Sequence, residues 1–160
     1  MLCEDIDDLK DKVIFEFYGD MSDNDKLFII KNDLMDIVKL KKPISYLESL
    51  EIMQQADWLI HIDGNISSVV KENIFFAAKI VDYFGSGSNI IAITMQDGAV
   101  VDELRMANAL VLSYSAEEIK NYLYLIVKEE YKRQIDEQYI AKYDASRIAV
   151  QLDEILDRFV

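Results

Sequence analysis

The chain has 160 residues, 51% of them hydrophobic, and a formal net charge of −13. This length sets an expectation of one domain able to bury roughly two-thirds of its unfolded surface. The excess of 30 acidic over 17 basic residues argues against nucleic acid or an anionic membrane as a partner, because both need a basic footprint. In chain order, Glu4 to Asp11 carries Ile6 and Leu9 three apart and predicts a short helix. Val13 to Tyr18, VIFEFY, is β-branched and aromatic with alternating character, so it predicts a strand that stops at Gly19-Asp20. MSDND is a loop, and one of its acidic residues is a candidate helix cap. Lys26 to Met35 predicts a helix with Leu27, Ile30 and Leu34 inward. Asp36 to Leu40 is a short strand that Pro43 stops.

Ser45-Tyr46-Leu47-Glu48 has the form of a capping box: the serine accepts from a backbone N–H and the glutamate reaches back. The helix it opens, Tyr46 to Gln55, places Leu47, Leu50 and Met53 on one face. Trp58 to Ile62, WLIHI, is a buried strand ending at the turn signal Asp63-Gly64-Asn65. A polar loop to Asn73 leads into Lys71 to Thr94, KENIFFAAKIVDYFGSGSNIIAIT. Within it, Ala77 to Phe84 is an amphipathic helix that breaks at Gly85-Ser86-Gly87. Ile90 to Thr94 is a strand. Ala99 to Asn108 is a helix with Val100, Leu104 and Ala107 inward, and Ala109 to Leu112 is a fifth strand. Ser115 to Glu118 is a second capping box, opening a helix to about Glu130. The remainder is helical, with Ile148, Leu152, Ile155, Leu156 and Phe159 forming a stripe expected to pack back on the sheet. Strand and helix alternate throughout. The expected fold is therefore α/β and Rossmann-like, a three-layer domain with a mostly parallel sheet of about five strands and helices on both faces.

Several function classes drop out. One cysteine, Cys3, forms no internal disulfide, which makes a reducing cytoplasm the expected compartment. No run reaches the roughly 18 apolar residues of a membrane helix, and the acidic start MLCEDIDDLK is no signal peptide. One histidine and one distant cysteine give no metal site, and His61, inside WLIHI, reads as a sheet-facing residue. The glycine pair near Ser86 ends a helix and does not begin one, so it is no dinucleotide fingerprint.

The central stretch carries a resemblance. Phe75-Phe76, Ala77-Ala78-Lys79, Ile80-Val81, Asp82-Tyr83-Phe84 and Gly85-Ser86-Gly87, followed by a strand, resemble the nucleotide-sugar-binding half of GT-B glycosyltransferases of the retaining, family-4-like group. There the pattern is an apolar pair, Pro-Ser-Lys, an apolar pair, an acid, Tyr, then a glycine break. Here Ala-Ala replaces Pro-Ser.

The resemblance implies that Lys79 contacts a diphosphate at a helix amino end, where free N–H groups and the dipole already favour an anion. It implies that Asp82 accepts from the vicinal ribose hydroxyls, which one carboxylate can do at once. It places Ile44, beside Pro43 and Ser45, where the backbone meets the nucleobase. Many members carry a second Glu eight residues before the acid; that position is Ile74, and the neighbouring Asn73 is taken as a ligand-binding candidate. No cofactor is implied, the nucleoside-diphosphate sugar being the substrate. The family's usual first strand and helix, with a glycine turn and basic residues for the diphosphate, have no counterpart here. The chain is accordingly expected to be the carboxyl-terminal half of a two-domain enzyme. The partner expected is an amino-terminal acceptor-binding domain, with a homodimer as a further possibility, and the chain is expected to be inactive alone.

Two other readings have features of their own. Asp63 and Thr94 end the third and fourth strands, and Asp20 and Asp23 follow the first, as in a signalling receiver-like domain. There the fifth strand should end in Lys, but here it runs into Ser113-Tyr114. A non-catalytic, glycosyltransferase-like interaction domain would fit the Ala-Ala replacement, the absent phosphate unit and the negative charge.

Overall fold

The structure, a computed structural model, describes residues 9–132 and 134–158. Cys3, the start of the expected first helix and Phe159 lie outside them. The chain forms two compact units, one holding residues 9–49 and 120–132, the other 50–119 and 134–158.

In the first unit, α1 (Leu9–Lys12) precedes β1 (Phe15–Tyr18), α2 (Asp23–Lys31) and β2 (Val38–Lys41). β1 and β2 pair in parallel, with Phe15 opposite Val38 and Tyr18 opposite Lys41. This is a βαβ unit, the connection that parallel pairing demands. Ser22 caps α2, its hydroxyl accepting from Asp25 N–H at 3.2 Å, which satisfies one of the orphan donors of the first turn. Leu9, Ile29, Ile37 and Val38 form the core, joined by Val13, Phe15, Met21, Leu34, Tyr124 and Val127. The helix presents a different face from the one expected: Ile29 is buried, while Leu27 and Ile30 are exposed. The cause is its early end. α2 stops at Lys31 and the chain turns through Asp33 at φ 53°, so Leu34 reaches the core from outside the helix, and the helical spacing of Leu27, Ile30 and Leu34 marks no single helical face.

Two helices belong to both units: α3 (Tyr46–Gln55) and α6 (Ala116–Val127). The capping box before α3 closes in full, with Ser45 N–H donating to Glu48 at 2.8 Å and Glu48 N–H to the Ser45 hydroxyl at 3.3 Å. On α3, Met53 is buried and Leu50 half-buried, but Leu47 is exposed. Before α6 the box is only half formed. Ser115 accepts from Glu118 N–H, yet the Glu118 carboxylate takes Ser113 N–H and the Ser113 hydroxyl.

The second unit contains β3 (Trp58–Ile62), α4 (Ala78–Ser86), β4 (Asn89–Ile93), α5 (Ala99–Met106) and β5 (Leu110–Leu112). After the shared helix α6 come α7 (Glu137–Ile140), a 3-10 turn (Ala141–Tyr143) and α8 (Ala145–Leu156). The strands are parallel in the order β3-β4-β5. Central β4 buries Ile90, Ile91 and Ala92 in succession, as its unbroken apolar run requires of a strand covered on both faces. α4 ends at Gly87, which takes the left-handed φ of 75° that a β-carbon disfavours. Ile80 and Phe84 of α4 and Val100, Val101 and Leu104 of α5 fill the core with Ile90, Ala92 and Leu59.

The fold is thus α/β and Rossmann-like, with parallel strands alternating with helices. All five expected strands are present, but hydrogen bonding divides them into sheets of two and three. The stripe of α8 departs from expectation. Ile148, Leu152, Ile155 and Leu156 are all about half exposed or more, and no residue of that helix is buried.

Candidate functional site

In open parallel sheets, side chains following the strands gather at one edge, where ligands are commonly bound. In the second unit, that edge carries a closed set of polar contacts. Asp63 follows β3 and donates its N–H to Ile93 at 3.0 Å; Thr94 follows β4 and donates its N–H to Leu112 at 3.0 Å. Parallel pairing of β3 with β4 sets the two side chains alongside. The Thr94 hydroxyl, fully buried, donates to Asp63 Oδ2 at 2.7 Å. Asn73, only 5% exposed, closes the triangle. Its Nδ2 donates to Asp63 Oδ2 and to Thr94 Oγ1, each at 2.9 Å. The other carboxylate oxygen, Oδ1, lies 2.8 Å from His61 Nε2. His61 therefore sits on the sheet beside Asp63, as its place in WLIHI suggested.

The loop from 64 to 77 is tied down at this point. Asn73 N–H donates to Asp97 O at 2.8 Å, and Asn73 Oδ1 accepts from Phe75 N–H at 3.0 Å. Gly98, at φ 129°, packs so closely that a β-carbon there would stand 2.3 Å from the Asn73 carbonyl oxygen. Tyr114, after β5, donates its hydroxyl to Gly64 O at 3.1 Å. Its pKa is raised by burial first and then by the charge of Asp63. Beyond Asn73 the loop shows apolar residues to solvent, with Ile74 71% and Phe75 61% exposed.

The loop delivers the chain into α4. Ala77 precedes that helix with extended backbone and no side-chain cap, and no acid occupies the first turn. No acid of its own first turn therefore competes for the leading N–H groups, of which Ile80 N–H donates to Ala77 O at 2.9 Å, and such a helix start favours an anionic ligand. Lys79 stands in this first turn, exposed, and Asp82 follows three residues on, half-buried. Lys79 and Asp82 share one helix, and Asn73 lies in the loop leading to it. Ile44 belongs to the first unit, half-buried between β2 and α3.

The triangle was not legible as such in the sequence. Its signal was present, since Asp63 and Thr94 each follow a strand, but only the β3–β4 pairing makes them neighbours. Among the described residues, no three His, Cys, Asp or Glu side chains group as a metal site, and no helix is long and apolar enough to cross a membrane.

No protein-family model matches the sequence, and no curated protein matches it. Among solved structures, the chain is similar to AviGT4, a glycosyltransferase involved in avilamycin A biosynthesis, with a TM-score of 0.60 and 10% identity. The match covers 91% of this chain and 43% of that one, so the chain spans less than half the length of the protein it resembles. At this identity the likeness concerns the fold.

Proposed function

We propose that the chain is the donor-binding part of a GT-B, family-4-like glycosyltransferase. It would hold a nucleoside-diphosphate sugar for transfer to an acceptor carried by a separate, amino-terminal domain. The observation that carries this reading is the setting of Lys79 and Asp82. Both lie on a helix entered from the carboxyl-edge loop of a parallel sheet, within a fold similar to a glycosyltransferase. In this reading the uncapped first turn of α4 and the Lys79 ammonium bind the diphosphate. Asp82 accepts from the two ribose hydroxyls. Asn73 lies in the loop that leads to this helix, with its amide already committed to Asp63 and Thr94.

The test is thermal denaturation of the chain with a panel of nucleoside diphosphates, for the wild type, Lys79→Ala and Asp82→Ala. A nucleotide at about 100 times its dissociation constant stabilises by about 2.7 kcal/mol, or several degrees in Tm. A shift for one base, lost in both variants, is the expected result. No shift with any nucleotide overturns the reading for this chain.

A second reading, a non-catalytic interaction domain, is favoured by the apolar stripe left exposed along α8, made of Ile148, Leu152, Ile155 and Leu156. Contiguous exposed apolar surface marks a docking face. Absence of any nucleotide shift would leave this reading standing.

A further inference from the structure

We propose that Asp63, Asn73, Thr94 and Gly98 are a positioning device for the loop that enters α4, and that Asn73 acts on the donor site through this loop without touching a ligand. The functional half of this inference rests on the donor-site reading; the structural half does not.

The side-chain amide of Asn73 is already in use. Both Nδ2 hydrogens are used, on Asp63 and Thr94. Its Oδ1 accepts from Phe75 N–H, and its own N–H is held by Asp97 O. A buried amide so engaged has no donor free for a phosphate or sugar. The carboxylate it binds is equally occupied, with two donors on Oδ2 and His61 beside Oδ1.

Apolar contact holds this part of the loop only at Phe76, whose ring lies 6.4 Å from that of Tyr143, while Ile74 and Phe75 are exposed. The polar triangle does so from the strand ends, and Gly98 does so by close approach to the Asn73 backbone. The short stretch from Asn73 to Ala77 then sets where α4 begins, and Lys79 lies in the first turn of that helix.

The test uses limited chymotrypsin digestion, which reads opening of the loop at Phe75 and Phe76. Asn73→Asp removes the donor and sets a second carboxylate against Asp63. The double variant Asp63→Asn/Asn73→Asp exchanges donor and acceptor, so every bond of the triangle can re-form. Gly98→Ala disturbs the same loop from the backbone and leaves the triangle's chemistry untouched. With far-UV circular dichroism unchanged, Asn73→Asp should speed cleavage at these two sites by about ten- to hundredfold, as expected when a buried bond to a charged group is lost. Gly98→Ala should speed it too, and the double variant should return close to wild type. Should Asn73→Asp lose its fold, Gly98→Ala and the double variant carry the test. Wild-type cleavage in Gly98→Ala, or a double variant as open as Asn73→Asp, overturns the positioning device.

The nucleoside diphosphate that stabilises the wild type is then titrated into each variant. Affinity should fall with loop opening and recover in the double variant, a pairing that a general loss of stability would not produce. Equal affinity in wild type and an opened Asn73→Asp overturns the link to the donor site. If no nucleotide binds the wild type, the donor reading fails while the cleavage data still decide the positioning device.

Discussion

The Thr94 hydroxyl donates to the Asp63 carboxylate at 2.7 Å, a bond that joins the carboxyl ends of neighbouring parallel strands. Thr94 is fully buried, and the same hydroxyl accepts from Asn73 at 2.9 Å. Its loss therefore leaves two groups short of a partner, one of them a carboxylate. A partly satisfied polar cluster in a low-dielectric setting is costly in proportion to what it leaves unpaired.

Thr94→Val keeps the shape and removes the hydroxyl. It should destabilise by about 2 kcal/mol, in the range for a hydrogen bond to a charged group, and lower Tm by roughly 4–8 °C. Thr94→Ser keeps the donor and should recover most of this. Thermal denaturation of the two variants decides it, and an unchanged Tm for Thr94→Val would show the bond contributes nothing net.

Burial separates two leucines that look alike in the sequence. Leu104 of α5 is fully buried, whereas Leu152 of α8 is 55% exposed. Leu104→Ala should cost about 2–5 kcal/mol through lost transfer energy and a residual cavity. Leu152→Ala should stay within about 0.5 kcal/mol. Urea denaturation of both variants checks the pair. A large loss at Leu152 would mean that its stripe is covered in solution.

That contrast shows where the sequence speaks and where it falls silent. Periodicity identified α8 as amphipathic, but it names a face and not what covers it. It also identified the bounds of β3, Trp58 to Ile62, although only Leu59 of that strand is buried and Ile62 is 62% exposed, and it identified the inward face of α5, where the pattern and the core coincide. It misjudged α2, whose end at Lys31 is set by the turn at Asp33 and not by the spacing of leucines. The five strands were readable one by one. Their division into sheets of two and three was not, because a strand's pattern says which side is buried and not which strand lies beside it. The candidate site follows the same rule. Lys79 and Asp82 stand out as neighbours on one helix, a relation encoded locally. Asp63, Asn73 and Thr94 meet only through pairing across the sheet.

A second cluster in the same unit makes stability depend on pH. Glu103 Oε2 accepts from Tyr143 at 2.7 Å and Tyr139 at 2.9 Å, and it pairs with Lys142 at 2.5 Å. Burial pushes the Glu103 carboxyl up, but the bonds from Lys142, Tyr143 and Tyr139 outweigh it and hold the group below its ordinary 4.5. The Tyr143 hydroxyl is pushed up to about 12, by burial first and by Glu103 second. Lys142 is also raised, chiefly by its bond to Glu103. A lowered acid contributes stability above its unfolded value and loses it as pH falls through the folded one. A raised lysine or tyrosine contributes below its unfolded value and loses it as pH climbs through the folded one. The cluster should therefore contribute fully between the ordinary values of 4.5 for Glu103 and 10.0 for Tyr143. Glu103→Gln should lower Tm by roughly 2–6 °C on this plateau. The gap to wild type should begin to narrow as pH falls below 4.5 and close once pH has fallen through the lowered folded value, where wild-type Glu103 gains its proton too. Because Lys142 is 40% exposed, about 1 M salt should also narrow the gap. Melting curves for both proteins across this range, at low and high salt, supply the check. A gap that persists unchanged into acid would mean that packing at Glu103, and not its charge, holds the two tyrosines.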